Sequence, residues 1–244
     1  FYKITKILNK VAIKLKKREK QKAKQNAKLK IANKQKDEII SAISHEFKNP
    51  IAIISGYTET ILNDEDMPKG IKNKFLNKIH NNSIKMSAII DKLRLTLKLE
   101  EGKQELTLVS TSLRKLLDEI VSDLQDSYKN REIEIYGDDI ELSVDSTLIS
   151  MAISNLIENA LKYSEDVVKI YITKDSIEII DNGIGIEEKD LEKIKTKFYR
   201  VSKNGWNNSL GLGLFIVHSI LSLHSFKLEI ESEYNKGSKF SIKF

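Results

Sequence analysis

The first 62 residues contain one glycine and one proline, Gly56 and Pro50, so little in this stretch interrupts a helix. A 3-4 spacing of positions runs through it that is apolar at both ends and polar in the middle. The positions are Ile4, Leu8, Val11, Leu15, Arg18, Lys22, Gln25, Leu29, Ala32, Lys36, Ile39 and Ile43. Such a seam predicts a coiled-coil helix with a weak centre. A solvated charged helix without a partner is the open alternative.

The charge of the chain is unevenly distributed. Residues 1–36 hold fourteen lysines and arginines and one acidic residue, Glu19, which gives +13 against +6 for the whole chain and leaves −7 for the remainder. A basic arm of this kind is compatible with nucleic acid, an anionic membrane surface or water. No groove-reading pattern accompanies the lysines, which argues against nucleic acid as a partner.

Some classes of protein are excluded by what the sequence lacks. Cysteine is absent, which excludes disulfides and cysteine-ligated metal sites. No run of 18 or more apolar residues occurs, so no membrane span is predicted. The chain starts at Phe1 without a methionine, and we expect it to be a fragment of a longer protein.

Residues 62–70, LNDEDMPKG, have the composition of a turn, and a second amphipathic helix follows. Its apolar stripe consists of Ile71, Phe75, Ile79, Met86, Ile89, Ile90, Leu93 and Leu97. Two long helices joined by a short turn predict an antiparallel hairpin over residues 37–98. A hairpin buries such a stripe poorly by itself, so we expect two copies to form a four-helix bundle and hence a homodimer.

Residues 99–106, LEEGKQEL, are expected to form a linker, and the sequence pattern changes beyond them. Strand-like runs occur at EIEIYG, ELSVD, VVKIYIT, SIEIID, KLEIES and KFSIKF, and helical runs near residues 112–128, 147–162, 188–195 and 212–223. The stretch VVKIYITKDSIEIID predicts a hairpin closed at Lys174 and Asp175. Adjacent strand pairs among helices predict an α+β domain over residues 107–244 with a mixed sheet.

Asn155 and Asn159 stand four residues apart in SNLIENALKYS, with Lys162 and Tyr163 a further turn along. This spacing places both amides on one face of a helix. Amide oxygens suit Mg²⁺, and a nearby lysine suits phosphate. Two asparagines at this spacing also occur on ordinary solvated helix faces, and that alternative stays open.

Two glycine pairs follow. In DNGIGI, Asp181 stands at a strand end, where its carboxylate can accept a hydrogen bond from an exocyclic amine, and Gly183 and Gly185 allow a ligand to approach the backbone. An ordinary tight turn is the alternative. In SLGLGLFIVHSIL, Gly211 and Gly213 open an apolar helix whose first N–H groups can face phosphate oxygens. The pattern is neither a P-loop nor a Rossmann fingerprint.

Residues 195–210, KTKFYRVSKNGWNNSL, separate the two glycine pairs and are mostly polar. We expect a mobile flap over a ligand, in which Arg200 and Lys203 are available for phosphates. The alternative is a surface loop in which Trp206 is incidental.

The segment SAISHEFKNP places His45 beside Glu46, with Asn49 and Pro50 after them. Neutral imidazole is nucleophilic near physiological pH, and an adjacent carboxylate can take its proton. A proline inside a helix removes one hydrogen bond, so Pro50 is expected to kink or loosen the turn that bears His45.

Taken in order, these motifs resemble the cytoplasmic core of a sensor histidine kinase. The motifs are His-Glu followed by a proline, a two-helix hairpin, Asn-x-x-x-Asn, Asp-x-Gly-x-Gly, Phe-Tyr-Arg and Gly-x-Gly, and the resemblance covers residues 37–244. The seam over residues 1–36 predicts a coiled-coil helix that carries the signal, and the resemblance implies a dimeric four-helix bundle after it. A two-layer α/β sandwich of the Bergerat ATPase type is implied to follow.

The resemblance also implies roles for the matching residues. His45 is implied as the phosphoryl acceptor, Glu46 as the adjacent acid or base, and Asn49 as the residue that orients water for dephosphorylation of the partner. Asn159 is implied as the Mg²⁺ ligand. The other residues implied to bind ATP or ADP are Asn155, Lys162, Tyr163, Asp181, Gly183, Gly185, Phe198, Arg200, Gly211, Gly213 and Leu214.

The implied activity is ATP-dependent autophosphorylation on His45 and phosphoryl transfer to an aspartate of a response regulator receiver domain, with phosphatase activity toward that regulator. Lys195 stands where the family usually has phenylalanine, and Ser209 and Leu210 where glycine is usual. These departures leave open a phosphatase-biased or nucleotide-gated switch with weak autokinase activity. The implied location is the cytoplasmic portion of an inner-membrane sensor, with its membrane anchor before Phe1.

Overall fold

A single long helix forms the beginning of the chain. The computed structural model describes residues 2–201 and 210–244, and the chain divides into two units, Phe1–Ile51 and Ala52–Phe244. Helix α1 spans Tyr2–Asn63 and contains Pro50. The long helix predicted from the scarcity of glycine and proline is confirmed. The helix is unbroken at Pro50, because losing one hydrogen bond leaves the bonds of the neighbouring turns in place.

The basic arm within the first unit is exposed wherever its side chains are described. Arg18, Lys22, Gln25 and Leu29 are all exposed, Leu29 to 60%. The side chains of the other seam positions before Ile39, which are Ile4, Leu8, Val11, Leu15, Ala32 and Lys36, lie outside the described residues. Pairing of the arm into a coiled coil therefore stays a prediction. No helix among the described residues is apolar over a length that would cross a membrane.

The second unit begins with the last turns of α1, a turn at residues 64–68 and helix α2, Lys69–Glu100. The rings of Tyr57 and Phe75 pack with their centroids 4.7 Å apart across this turn. Helix α2 runs two residues beyond the predicted hairpin boundary at 98. Its apolar stripe is incompletely covered, since Ile71, Ile90 and Leu97 are 46%, 53% and 58% exposed.

The rest of the second unit is an α+β domain built on a five-stranded mixed sheet of order β2-β4-β5-β7-β6. Its strands are β2 Ile133–Tyr136, β4 Val168–Thr173, β5 Ser176–Asp181, β6 Lys227–Glu233 and β7 Gly237–Lys243. Strands β2 and β4 pair in parallel, and the other neighbours are antiparallel. Thr173 pairs with Ser176, so the predicted hairpin closed at Lys174 and Asp175 is confirmed.

One strand was missed by the sequence reading. Strand β1, Val109–Ser112, pairs antiparallel with β3, Glu141–Val144, in a separate two-stranded sheet. The sequence of β1 is VSTS, in which valine alone supplies an apolar side chain, so no alternating apolar pattern marks it. The prediction of a single sheet was therefore incomplete.

The helices of this domain pack on one face of the main sheet and form the core with it. They are α3 Leu113–Ser127, α4 Ser146–Tyr163, the short α5 Glu188–Leu191 and α6 Gly213–Leu223. The largest fully buried side chains include Ile153, Leu156 and Ile157 of α4, Ile216 and Ile220 of α6, and Ile170, Ile177, Ile179 and Ile242 of the sheet. Alternate residues of β4, such as Lys169 and Thr173, are exposed, so the opposite face meets solvent. This is the expected two-layer sandwich.

Candidate functional site

Helix α4 carries both asparagines, but the structure gives them different surroundings. Asn155 is 8% exposed, and its Nδ2 donates to the carbonyl oxygen of Met151 at 2.7 Å. A Cβ atom built on Gly213 would lie 3.3 Å from Asn155 Oδ1, so this amide faces the start of α6. Asn159 is half-buried, and its amide makes no hydrogen bond among the described residues. Asn155 is therefore bonded within α4 and lies beside the start of α6, while the amide of Asn159 has no partner among the described residues.

The last turn of α4 presents a lysine and a tyrosine. Lys162 Nζ lies 5.5 Å from the centroid of the Tyr163 ring, a cation–π distance, and Tyr163 is 41% exposed. The carbonyl oxygen of Tyr163 accepts a hydrogen bond from the N–H of Ile184 at 3.1 Å. The end of α4 is thereby bonded to the DNGIGI turn.

Asp181 ends strand β5 as a buried carboxyl group, 5% exposed. Its Oδ1 accepts a hydrogen bond from the N–H of Gly183 at 2.8 Å. Burial raises the pKa of Asp181, and hydrogen bonds from the backbone N–H groups of Gly183 and Ser238 lower it in part. A buried acceptor of this kind is suited to select a ligand that carries an N–H donor.

Backbone packing explains why the DNGIGI turn has glycine at positions 183 and 185, which the sequence did not reveal. A Cβ atom on Gly183 would lie 2.2 Å from the carbonyl oxygen of Tyr163, and one on Gly185, whose φ is +62°, would lie 2.0 Å from that of Glu233. The backbone of the turn thus packs directly on α4 and on β6. The expected close approach of a ligand stays a prediction, but these contacts alone exclude larger residues.

Gly211, the first glycine of the second pair, contacts residues near the start of the predicted flap. The N–H of Phe198 donates to the carbonyl oxygen of Gly211 at 2.9 Å, and a Cβ on Gly211 would lie 2.7 Å from the carbonyl oxygen of Tyr199. Tyr199 Oη in turn donates to the buried Asp190 Oδ1 at 2.7 Å. Residues 202–209, which include the predicted Lys203 and Trp206, lie outside the described residues.

Helix α6 begins at Gly213 without a side-chain cap. Its N-cap residue is Leu212, which has no side-chain acceptor for the first N–H groups of the helix. Leu214 and Gly213 are half-buried beside it. Helix N-termini of this kind bind anions through free N–H groups and the helix dipole. The start of α6 is therefore suited to phosphate.

The predicted acceptor histidine lies in the first unit. His45 and Asn49 are exposed on α1 and stand four residues apart, so they share a face of the helix, whereas Glu46 is half-buried. Of the sites predicted from sequence, the structure thus brings Asn155, Tyr163, Asp181, Gly183 and Gly213 into one connected region. His45, Glu46 and Asn49 belong to the other unit.

Two comparisons with known families decide the assignment. Residues 144–244 match the family described as histidine kinase-, DNA gyrase B- and HSP90-like ATPase. Residues 35–102 match the His Kinase A (phospho-acceptor) domain. The chain belongs to the sensor histidine kinase family. The first match implies that the α+β domain binds ATP, and the two together are the domains of a protein-histidine kinase.

Individual relatives agree with this assignment. The chain is 30% identical to the phosphate regulon sensor protein PhoR of Haemophilus influenzae over 222 residues, covering 85% of this chain and 51% of PhoR. The chain described here thus spans about half the length of that relative. The fold resembles that of the Acinetobacter baumannii histidine kinase AdeS, with a TM-score of 0.58 at 23% identity over 82% of this chain and 96% of that chain.

A second similar structure was solved as a complex. The histidine kinase ThkA, in a crystal structure with response regulator protein TrrA, has a TM-score of 0.58 and 21% identity to this chain. The match covers 85% of this chain and 60% of that chain. At this identity the likeness concerns the fold.

Three contacts at the ends of α4 were missed by the sequence analysis. Asp145 Oδ1 caps the start of α4 by accepting from the N–H of Leu148 at 3.1 Å. The N–H of Asp145 donates to His224 Nε2 at 3.0 Å, and His224 Nδ1 lies 2.8 Å from the carbonyl oxygen of Ile220. These contacts fit a neutral histidine protonated on Nδ1 that ties the start of α4 to the end of α6. Arg131 holds the other end of α4.

Proposed function

We propose that this kinase phosphorylates itself on His45 with ATP and passes the phosphoryl group to an aspartate of a response regulator. One arrangement carries the proposal. Around α4 the second unit gathers a buried acceptor at Asp181, an amide at Asn159 that has no partner within the described part of the chain, and an uncapped helix start at Gly213. These three features match the base, the metal-bound phosphates and the phosphate tail of ATP, and they occur in a domain whose family binds ATP.

In this proposal each group has a defined task. Asp181 accepts a hydrogen bond from the adenine amine, and the N–H groups that follow Gly211 and Gly213, including that of Leu214, bind the phosphates. Lys162 and Arg200 provide positive charge, Tyr163 lies against the base, and Phe198 holds the start of the flap. Asn155 is buried beside the start of α6, where it lines the phosphate end of the site.

Mg²⁺ fits this site only in company with the phosphates. Among the described residues no group of three histidine, aspartate or glutamate side chains would hold a metal ion alone. Asn159 offers one neutral oxygen ligand, and Mg²⁺ commonly takes few protein ligands together with phosphates and water. A bound Mg²⁺ would neutralise the charge that develops on the transferred phosphoryl group.

The chemistry proposed for His45 follows from its exposure. A ring nitrogen attacks the γ-phosphorus, the N–P bond forms, the bond to the bridging oxygen breaks, and ADP leaves. Glu46 takes the ring proton. Asn49, on the same exposed face as His45, orients water for the reverse task of dephosphorylating the regulator. The complex of ThkA with TrrA supports a response regulator as partner.

A homodimer is part of the proposal. The apolar stripe of α2 leaves Ile71, Ile90 and Leu97 between 46% and 58% exposed in a single chain. Exposed apolar side chains in a row are typical of an interface. A second copy would cover them in a four-helix bundle, in agreement with the match to the phospho-acceptor domain family. A membrane anchor upstream of Phe1 is proposed on the same family grounds.

One observation favours a second candidate, a switch with weak autokinase activity. Lys195, where the family usually has phenylalanine, forms an ion pair with Glu192 at 3.4 Å. An ion pair at this position takes the place of apolar packing near the start of the flap. A surface ion pair contributes little to the free energy of folding, so the flap would be held less firmly. In that case ATP would bind normally while His45 phosphorylation stays slow.

Labelled ATP distinguishes these functions. The wild-type chain, His45→Ala and Asn159→Ala are each incubated with γ-labelled ATP and Mg²⁺. His80→Ala is the matched control, because His80 is an exposed histidine on α2. We expect acid-labile, base-stable label on wild type and His80→Ala alone. Slow labelling despite tight ATP binding favours the switch. Label on His45→Ala, or none on wild type, contradicts the proposed acceptor.

A further inference from the structure

An arginine holds the end of the helix that carries the proposed ATP ligands. Arg131 Nη1 donates to the carbonyl oxygens of Leu161 and Ser164 at 2.6 and 2.5 Å. Its Nη2 donates to the carbonyl oxygen of Asp166 at 2.8 Å. We propose that Arg131 is a positioning residue for ATP binding, an inference that rests on the proposed function.

The sheet explains how Arg131 reaches this end of α4. Strand β2 pairs in parallel with β4, with Ile133 opposite Val168, so the two strands start side by side. The turn that follows α4 leads into β4, and Arg131 stands just before β2, next to that turn. Its backbone is fixed as well, because its N–H donates to the carbonyl oxygen of Tyr128 at 2.9 Å. Register in the sheet thus delivers the guanidinium to the end of the helix.

Helix ends leave their last carbonyl groups without partners in the helix. At the end of α4, Arg131 satisfies that of Leu161, and the N–H of Ile184 satisfies that of Tyr163. A positive charge at a helix C-terminus also interacts favourably with the helix dipole. A guanidinium is suited to this task because its planar fork can bond several oxygens at once, which a lysine ammonium does less well.

The position of this end matters for the ligand. The last turn and a half of α4 contains Asn159, Lys162 and Tyr163, and Tyr163 is bonded to the turn that also donates to Asp181. Releasing the end would let these groups shift relative to Asp181. Binding groups that are misplaced by about 1 Å lose a large part of their effect. Arg131 thus acts on ATP through α4 and does not itself need to touch it.

The test compares Arg131→Ala and Arg131→Lys with Lys129→Ala. Lys129 is exposed, two residues away, and forms no ion pair or hydrogen bond within the described part of the chain, so it controls for local charge. Calorimetry with ATP and Mg²⁺ gives Kd, phosphorylation of His45 gives KM and kcat, and thermal unfolding is followed in parallel. We expect Kd and KM to rise about tenfold in Arg131→Ala. We expect a smaller rise in Arg131→Lys and a change of less than about twofold in Lys129→Ala.

The outcomes separate positioning from stability. A variant Arg131→Ala that unfolds at lower temperature but binds ATP with the wild-type Kd, measured well below that temperature, would make Arg131 merely structural and overturn the proposal. If Arg131→Ala does not fold, a folded Arg131→Lys with wild-type Kd overturns it equally. Absence of ATP binding by the wild-type chain would instead defeat the proposed function, a result that no Arg131 variant can imitate.

Discussion

Gly56 and Gly185 stand in opposite surroundings. A Cβ atom on Gly56, in helix α1, would meet nothing within 4 Å, whereas one on Gly185 would lie 2.0 Å from the carbonyl oxygen of Glu233. The helical region is formed by hydrogen bonds between residues close in sequence, and its side chains are largely exposed. In the α+β domain, backbone segments that are far apart in sequence pack directly against one another. A reactive residue can therefore project from the first region, whereas a ligand site needs the second.

The sharpest test of this contrast removes His45. Because the side chain is exposed on α1 and belongs to the unit Phe1–Ile51, His45→Gln should abolish phosphoryl labelling while the Kd for ATP changes by less than about twofold. Labelling and calorimetry measure the two effects on one preparation. A large loss of ATP affinity in this variant would show that the acceptor region and the nucleotide site are not separable.

Gly185→Ala tests the packed region. The new methyl group would clash with the Glu233 carbonyl oxygen, and alanine disfavours the φ of +62° at this position. We therefore expect a loss of about 2–4 kcal/mol in the free energy of unfolding. Urea unfolding followed by circular dichroism measures this loss. A variant with wild-type stability would mean that the DNGIGI turn can move away from β6 at little cost.

Asp181→Asn tests the proposed selection of the base. We expect ATP binding at neutral pH to weaken about tenfold or more, since an amide is a poorer acceptor than a carboxylate. Calorimetry with ATP and Mg²⁺ gives the Kd. Equal affinity of the variant and the wild type would remove Asp181 from the site.

The pH dependence of stability and of ATP affinity in the wild type also tests the role of Asp181. Burial raises the pKa of Asp181 in the folded chain above its ordinary value in the unfolded chain. The free energy of unfolding should therefore fall as pH rises from the ordinary pKa to the raised one. ATP affinity should rise over the same interval, because the carboxylate is the form that accepts the amine. Asp181→Asn should flatten both dependences, which unfolding and calorimetry at weakly acidic pH would measure. A steep dependence that persists in the variant would point to another group.

Gly56→Ala should have the smallest effect, and of opposite sign to Gly185→Ala. A helical position with open space around the missing Cβ gains about 0.5–1 kcal/mol when glycine is replaced by alanine. The urea measurement used for Gly185→Ala serves here as its matched control. Destabilisation by Gly56→Ala would indicate that another copy of the chain packs closely on this face of α1.

Local patterns predicted most of the architecture correctly. The long first helix, the turn near residue 64, the α+β character and the Lys174–Asp175 hairpin all follow from spacing and composition within about twenty residues. Strand β1 was missed because a Ser- and Thr-rich strand has no apolar alternation, and its partner β3 lies about thirty residues away. Arg131 and the link between Asp145 and His224 were missed because no local pattern marks a side chain that bonds to a distant backbone.

The sequence by itself determined the order of the motifs and the family they resemble, because each motif is a set of residue types at short, fixed spacing. Tertiary structure alone decided which of these residues remain available to a ligand. It buried Asn155 beside the start of α6, left the amide of Asn159 without a partner among the described residues, and placed the turn of Gly183 and Gly185 against α4 and β6. The physical reason is that burial and hydrogen-bond partners depend on the distances between segments, which the spacing within a motif does not specify.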